Sequence, residues 1–203
     1  MSTPGHTGGM RLFVAVDPSP TAEAALRALP RPTSHDLRRT TPDQWHVNVR
    51  FLGDVEDDGP VIKALARLPA QVAGAATEAR MGPATAWFPG RRILHAPVTG
   101  LESVAKEVER LTAAWGTATV QPFVGHLTLA RTRGGAPGPR GLAGAILQGK
   151  FDVRRVVLYA STLAPQGAFY EARAAVHLPA ASTWATRSGG DGPTSPNDRW
   201  AQR

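Results

Sequence analysis

The chain has 203 residues, of which 23 are Lys or Arg and 16 are Asp or Glu, so its formal net charge at pH 7 is +7. It contains no Cys, which excludes disulfides, thiolate nucleophiles and Cys-ligated metal centres. No apolar run reaches the roughly 18 residues of a membrane span, and residues 1–9 lack the hydrophobic segment of a secretory signal. We therefore expect a cytoplasmic protein with no membrane partner.

The positive charge favours anionic partners such as phosphate esters or nucleic acid. Only three of the 23 basic residues are Lys, however, and Ala, Gly, Pro and Arg are all abundant. The charge is therefore equally consistent with a compositional bias of the coding DNA.

The first half of the chain alternates strand and helix signals. A short helix over 22–29 follows two prolines, and a second helix is expected to begin at Pro60 and to end before Pro69. Short apolar or alternating runs predict strands over residues 11–16, 46–53, 77–87 and 92–98.

The second half opens with the clearest helix signal, over residues 101–115. Its apolar residues recur at i, i+3, i+4 and i+7, and Gly116 suits the position after its end. A Gly/Pro loop over 134–139 precedes a short predicted helix at 140–148. Strands are predicted over residues 126–131, 153–163 and 169–178.

The most informative feature is a near-repeat 80 residues apart, in which His46-Val-Asn-Val is echoed by His126-Leu-Thr-Leu. Residues i and i+2 of a strand share a face, about 6–7 Å apart along the chain. Each copy therefore presents an imidazole and a small polar side chain on one face and apolar side chains on the other. Two such strands, one per half, predict two similar lobes whose His-bearing faces converge on one groove.

These residue types suit phosphate chemistry. Two imidazoles facing each other across a phosphate can divide general acid and general base work, and their ordinary pKa near 6.5 allows both protonation states. The Asn48 amide and the Thr128 hydroxyl can donate hydrogen bonds to non-bridging phosphate oxygens. A single His-x-Thr on a strand is ordinarily structural; the repetition in equivalent places favours a site.

At these residues the chain resembles the 2H phosphoesterase superfamily, which is named for two His-x-Thr/Ser-x motifs. The likeness is nearest to the RNA 2′,3′-cyclic phosphodiesterases, historically called 2′-5′ RNA ligases, and it covers nearly all of residues 10–180. The order and spacing of the similar segments carry it: 11–17, 46–53, 92–96, 122–131, 158–163 and 167–170.

The resemblance implies an α+β fold in which two pseudo-symmetric lobes of antiparallel sheet, with flanking helices, surround a central groove. It implies metal-independent hydrolysis of RNA 2′,3′-cyclic phosphate ends to 2′-phosphomonoesters, with His126 as proton acceptor and His46 as proton donor. We expect one monomeric domain over 10–180, with lobes near 10–98 and 99–180, between flexible tails at 1–9 and 181–203. The sequence has no P-loop and no carboxylate cluster beside the two histidines, so we expect no metal and no other cofactor.

Two further residues and two alternatives complete the prediction. Arg50 shares a face with His46 and Asn48, so we expect it either to line the groove and bind substrate or to be a solvated edge residue. Arg131 is out of phase with His126 and Thr128 unless the strand twists or ends there, so we do not include it among the predicted site residues. Asn48 stands where the family has Thr or Ser. The alternatives are therefore a phosphodiesterase for a small cyclic nucleotide and a non-catalytic RNA- or nucleotide-binding relative.

Overall fold

A computed structural model describes residues 9–31, 35–72, 78–116, 122–164 and 167–179. Apart from Gly9, the two tails predicted at 1–9 and 181–203 lie outside the described residues. The described helices are α1 (Pro20–Arg27), α2 (Gly59–Leu65), α3 (Leu68–Gln71) and α4 (Glu102–Leu111). The described strands are β1 (Met10–Val16), β2 (Leu37–Arg39), β3 (Val47–Val55), β4 (Glu78–Met81), β5 (Ala86–Trp87), β6 (Ile93–Thr99), β7 (His126–Thr132), β8 (Gly149–Asp152), β9 (Arg155–Ala164) and β10 (Gly167–His177).

The strands form one antiparallel sheet in the order β10-β9-β1-β3-β7-β6-β4-β8, with β2 paired to β7 and β5 paired to β6. The predicted fold class, an antiparallel sheet with flanking helices, is confirmed. Each side of the central β3–β7 pair takes strands from both ends of the chain: β9 and β10 join β1 and β3, whereas β4 and β6 join β7 and β8. The two lobes therefore exchange strands and are not the contiguous spans 10–98 and 99–180.

Several predicted elements differ from the observed ones. The strand predicted over 77–87 is two strands, because Pro83 has no N–H to donate and Gly82 has a φ of 112°. The helix predicted at 140–148 is only a 3₁₀ turn, Arg140–Leu142, and Gly144, with a φ of 92°, follows it. The short strands β2 and β8 were not predicted. Pro69 lies in the first turn of α3, where a proline needs no donor.

The core lies on the helix-bearing side of the sheet. The predicted stripe on α4 is buried there, through Val104, Ala105, Val108 and Leu111, and α4 packs against β3. Ser19 caps the N-terminus of α1, where its hydroxyl accepts a hydrogen bond from the Ala22 amide, and the helix packs against β8. The opposite face of the central strands is free of these helices, and this open face carries the groove.

Candidate active site

The two motif strands meet at one residue pair. Within the described strands, β3 and β7 pair through Val47 and Leu127 alone, and both side chains are fully buried. Because side chains alternate across a strand, the residues on either side of this pair point to the other face. The antiparallel register sets residue 46 opposite 128 and residue 48 opposite 126. The two copies of the repeat therefore lie side by side on neighbouring strands in the middle of the sheet.

A groove of about 760 Å³ opens over this pair. His46, Asn48, His126 and Thr128 all line it, as the repeat predicted. The remaining lining includes aromatic and basic side chains from β1, β3, β7 and β10 and from the loops beside them, among them Arg11, Phe13, Phe51, Phe88, Phe123, Arg131 and Tyr170. The groove therefore combines two imidazoles, polar donors, cations and aromatic surfaces.

Arg50 does not line the groove, so the prediction for this residue is wrong. The β1–β3 register runs from Ala15 opposite Asn48 to Val14 opposite Arg50, which leaves Val49 as an extra residue in a β-bulge. The bulge reverses the phase of the strand. Arg50 is therefore buried on the helix side, where its guanidinium pairs with Glu109 of α4 at 3.1 Å and donates to the Trp115 carbonyl.

A second β-bulge, on β7, directs Arg131 into the groove, contrary to our expectation. His95 lies opposite Thr128 and Leu94 lies opposite Ala130, so Leu129 is the extra residue. Each bulge thus sits three residues after its histidine, and the residue five positions after the histidine returns to the groove face. That residue is Arg131 on β7 and Phe51 on β3, and both line the groove.

The β7 bulge is held by the segment that leads into β3. The Thr40 hydroxyl donates to the carbonyls of Thr128 and Leu129 at 2.7 and 3.0 Å, and the Thr40 amide also bonds to Leu129. The buried indole of Trp45 donates to the same hydroxyl at 3.2 Å. The stretch from Thr40 to Trp45 therefore holds the β7 motif through hydrogen bonds, and it leads directly into His46 of the β3 motif.

Aromatic rings enclose His46. Phe13 and Tyr170 each lie 4.9 Å from it between ring centroids, and the Tyr170 ring is perpendicular to the imidazole. This burial lowers the pKa of His46 to about 4. The Gln44 carbonyl and the Asp17 carboxylate act in the opposite direction, and the positive charges of His126 and Arg131 lower the pKa further.

A different pair of rings contacts His126. Phe88 and His95 are stacked on each other at 4.0 Å, and both are nearly perpendicular to His126, at centroid distances of 4.8 and 5.8 Å. His95 is buried, and that burial, followed by the charge of His126, lowers its pKa. His95 belongs to neither motif, so the sequence pattern did not identify it. Its place opposite Thr128 follows only from the pairing of β6 with β7.

Backbone carbonyls orient both motif histidines. The Nδ1 atom of His126 lies 2.8 Å from the Val124 carbonyl, which can only accept, so Nδ1 carries a proton, and in the neutral ring Nε2 is the free nitrogen. The ring of His46 likewise bonds to the carbonyl of Gln44. In both motifs the carbonyl belongs to the residue two positions before the histidine. Among the described residues, the side chains of Asn48 and Thr128 have no hydrogen-bond partner, so they are available to a ligand.

The sequence matches no family model and no curated protein. Solved structures match its fold. TT0787 of Thermus thermophilus is 28% identical with a TM-score of 0.65, over 84% of this chain and 99% of that one. A phosphoesterase is 23% identical with a TM-score of 0.64, over 84% and 98%. LigT of E. coli complexed with NADP+ is 21% identical with a TM-score of 0.63, over 84% and 98%.

The chain has the 2H phosphoesterase fold. The fold that the resemblance implied is thereby confirmed, and the groove opens over the Val47–Leu127 pair in the middle of the sheet. Asn48 remains the one departure in the 2H motifs. It lines the groove beside His46 and directly opposite His126 in the register, so the amide occupies the position that a hydroxyl would otherwise have.

Tyr159, His35 and His177 do not line the groove. Tyr159 donates to Asp17 at 2.9 Å, and burial, then Asp17, raises the pKa of the phenol. His35 and His177 are exposed. In the described part of the chain, no group of three or more His, Asp and Glu side chains is arranged to hold a metal ion, and no helix is long and apolar enough to cross a membrane.

Proposed function

We propose that the chain is a cyclic phosphodiesterase that hydrolyses RNA 2′,3′-cyclic phosphate ends to 2′-phosphomonoesters. The observation that carries the proposal is that His46, Asn48, His126 and Thr128 line one groove about the Val47–Leu127 pair. Two imidazoles and two hydrogen-bond donors around one cavity are the groups that a phosphoryl transfer without a bound metal requires.

The chemistry needs one base and one acid. The base takes a proton from water as the water oxygen attacks phosphorus, and the acid protonates O3′ as the P–O3′ bond breaks, which leaves the phosphate on O2′. Following the motif positions, His126 is the acceptor, and the Val124 carbonyl supports this role by leaving its Nε2 unprotonated in the neutral ring. His46 is the donor.

The proposed donor role requires that the His46 ring be protonated before it donates. With a pKa of about 4 its ring is neutral at pH 7 in the free protein, because it is buried. A bound cyclic phosphate carries a negative charge, which favours the protonated ring and opposes the effect of His126 and Arg131. We therefore propose that His46 takes up its proton when the substrate binds.

Asn48 supports a second candidate, a relative that binds nucleotides without turnover. An amide is longer than a hydroxyl and donates through nitrogen, so the position of the phosphate shifts relative to the two imidazoles. LigT of E. coli has been solved with 3′-AMP and with ATP, so at least one protein with this fold binds nucleotides. Saturable binding of cyclic-phosphate RNA without any product would favour this candidate.

The test is an end-group analysis. An RNA with a 2′,3′-cyclic phosphate is incubated with the protein in EDTA, and the ends are separated as cyclic phosphate, 2′-phosphate and 3′-phosphate. We expect the 2′-phosphate alone, and none from the double variant His46→Gln, His126→Gln, which controls for contaminating nucleases. Loss of activity in EDTA, a 3′-phosphate product or unchanged turnover by the double variant would contradict the proposal.

A further inference from the structure

Asp17 lies beside His46 in the sheet, although it belongs to neither motif. The β1–β3 register ends with Val16 opposite Val47. Asp17 follows β1 and His46 precedes β3, so one further step of the same register places these two residues opposite each other. Val16 and Val47 are both buried in the core, and side-chain alternation therefore directs Asp17 and His46 to the groove face. Residues in this relation interact directly across the two strands.

Two side chains of β9 hold the Asp17 carboxylate in place. Arg155 donates to its Oδ2 atom and the Tyr159 hydroxyl donates to its Oδ1 atom, each at 2.9 Å. Asp17 and His46, both within the described part of the chain, share no hydrogen bond, and the His46 ring bonds to the Gln44 carbonyl instead. The carboxylate therefore acts on the imidazole through its charge and from a fixed position.

The groups that face His46 differ in the sign of their effect on a ring proton. The titratable and charged groups near this ring in the described structure are Asp17, Tyr159 of β9, Tyr170 of β10, and His126 and Arg131 of β7. Burial raises the pKa of both phenols, so the tyrosines are neutral at pH 7. The charges of His126 and Arg131 oppose protonation of the ring, whereas the charge of Asp17 favours it. Within this set, the carboxylate alone supports a protonated His46.

We infer that Asp17 is a positioning residue that acts through His46: its carboxylate helps to hold on the ring the proton that is donated to the departing O3′. This inference rests on the proposed function. Asp17 does not line the groove and receives no proton itself. The bound phosphate supplies a second negative charge, so the protonated ring has two anionic neighbours in the complex. Arg155, on the neighbouring strand, offsets part of the Asp17 charge.

An NMR titration tests the charge effect without depending on turnover. The Cε1–H signal of His46 is identified by its absence from His46→Gln, and its titration midpoint is measured in the complex with cytidine 2′-phosphate. In Asp17→Asn we expect the midpoint about one pH unit lower, the small end of the usual effect of an opposite charge, because solvent and Arg155 offset part of it. Asp17→Glu keeps the charge and should keep the midpoint. In Arg155→Gln the midpoint should move to higher pH.

The opposite signs separate a charge effect from a structural one, because Asp17→Asn and Arg155→Gln break the same ion pair. A merely structural role would move the titration in the same direction in both variants. The matched control is Asp152→Asn, which removes a carboxylate paired with Arg154 outside the groove and should leave the midpoint unchanged. Shifts of the same sign in the two ion-pair variants, an unchanged midpoint in Asp17→Asn, or an equal shift in the control would overturn the inference.

Turnover connects the charge of Asp17 with the leaving group. At pH 7.5, Asp17→Asn should lower kcat on a cyclic-phosphate RNA about 10-fold, because a smaller fraction of His46 is protonated. A substrate in which sulfur replaces O3′ needs no proton donor, so on that substrate kcat should equal that of the unaltered protein. Equal losses on the two substrates would overturn the inference. Failure of the proposed function would appear separately, as absence of hydrolysis by the unaltered protein while the NMR shifts are still observed.

Discussion

The β3 half and the β7 half of the groove have the same backbone arrangement around their histidines and differ in the side chains that contact those histidines. In both, a histidine bonds to the carbonyl two residues earlier, and a bulge follows three residues later. The neighbours differ: His46 lies among Phe13 and Tyr170, whereas His126 lies against Phe88 and His95. The repeated backbone therefore sets the positions of the two rings, and unrepeated neighbours set their chemistry.

The proposed mechanism needs the two imidazoles in opposite protonation states. Two equivalent imidazoles would compete for one proton with no preference between them. Burial of His46 separates the two, because it disfavours a positive charge on that ring in the empty groove. In the empty groove the burial favours the neutral ring, so the proposed donor role of His46 depends on the charge of the bound phosphate. Each half of the groove can be altered separately.

Removing either imidazole should have the largest effect. His46→Gln and His126→Gln should each lower kcat on a cyclic-phosphate RNA about 10²- to 10⁴-fold, the usual contribution of a general acid or base. A substrate in which sulfur replaces O3′ separates the two roles, because a thiolate leaves without protonation. Sulfur should restore turnover to the His46 variant and not to the His126 variant. Restoration of the His126 variant alone would reverse the two roles.

The burial of His46 should also make the free energy of unfolding depend on pH. Its folded pKa of about 4 lies below the unfolded value of 6.5, so the unfolded chain binds more protons between these values. Stability is therefore present above pH 6.5 and decreases as the pH falls towards 4, by roughly 3 kcal/mol from this residue. His95, whose pKa is also lowered, adds a change of the same sign.

Urea unfolding at pH 7.5 and at pH 4.5 measures this dependence. His46→Gln should lose much less stability between the two pH values than the unaltered protein. The control is His177→Gln, because His177 is exposed at the end of β10 and should not alter the dependence. Equal losses in all three proteins would contradict the assignment of the pH dependence to His46.

The fold was predictable from the sequence wherever hydrophobic patterning decides the structure. The apolar stripe of α4 and the run that became β1 are determined by what must be buried, whereas in β10 only Gly167 is buried. The exchange of strands between the lobes was not predictable, since β9 pairs with β1 across most of the chain. Strand β2, Leu37–Arg39, has only one buried side chain and therefore no pattern to detect.

The sequence predicted the site residues that precede the two bulges, at Val49 and Leu129, and not the residues that follow them. Strict alternation correctly assigned His46, Asn48, His126 and Thr128 to one face. It failed for Arg50 and Arg131, because an extra residue at Val49 and at Leu129 leaves no mark in the order of polar and apolar side chains. A bulge is a property of two paired strands, and a single strand read alone does not reveal it.

Asn48 and Thr128 offer a comparison between the two polar donors. Asn48→Ala removes a donor aimed at the phosphate and should lower kcat about 10²-fold, as loss of one transition-state donor typically does. Asn48→Thr restores a donor of the kind that β7 carries and should retain at least the original turnover. Full activity of Asn48→Ala would mean that the amide does not contact the transition state, and inactivity of Asn48→Thr would mean that the groove is adapted to the longer side chain.

The smallest expected effect comes from His95, which contacts His126 without lining the groove. Its ring and that of Phe88 stack at 17° to each other and nearly perpendicular to His126, so together they restrict rotation of the His126 ring. His95→Ala should lower kcat about 3- to 10-fold, since such ring pairs contribute about 0.5–1.5 kcal/mol. His95→Phe keeps the stack and should restore kcat. Because Phe does not titrate, the pH dependence of kcat/KM should also be unchanged in that variant if His95 acts through ring position. A shifted pH dependence in His95→Phe would show instead that the charge of His95 acts on His126, and the comparison between the two halves would then rest on electrostatics and not on packing.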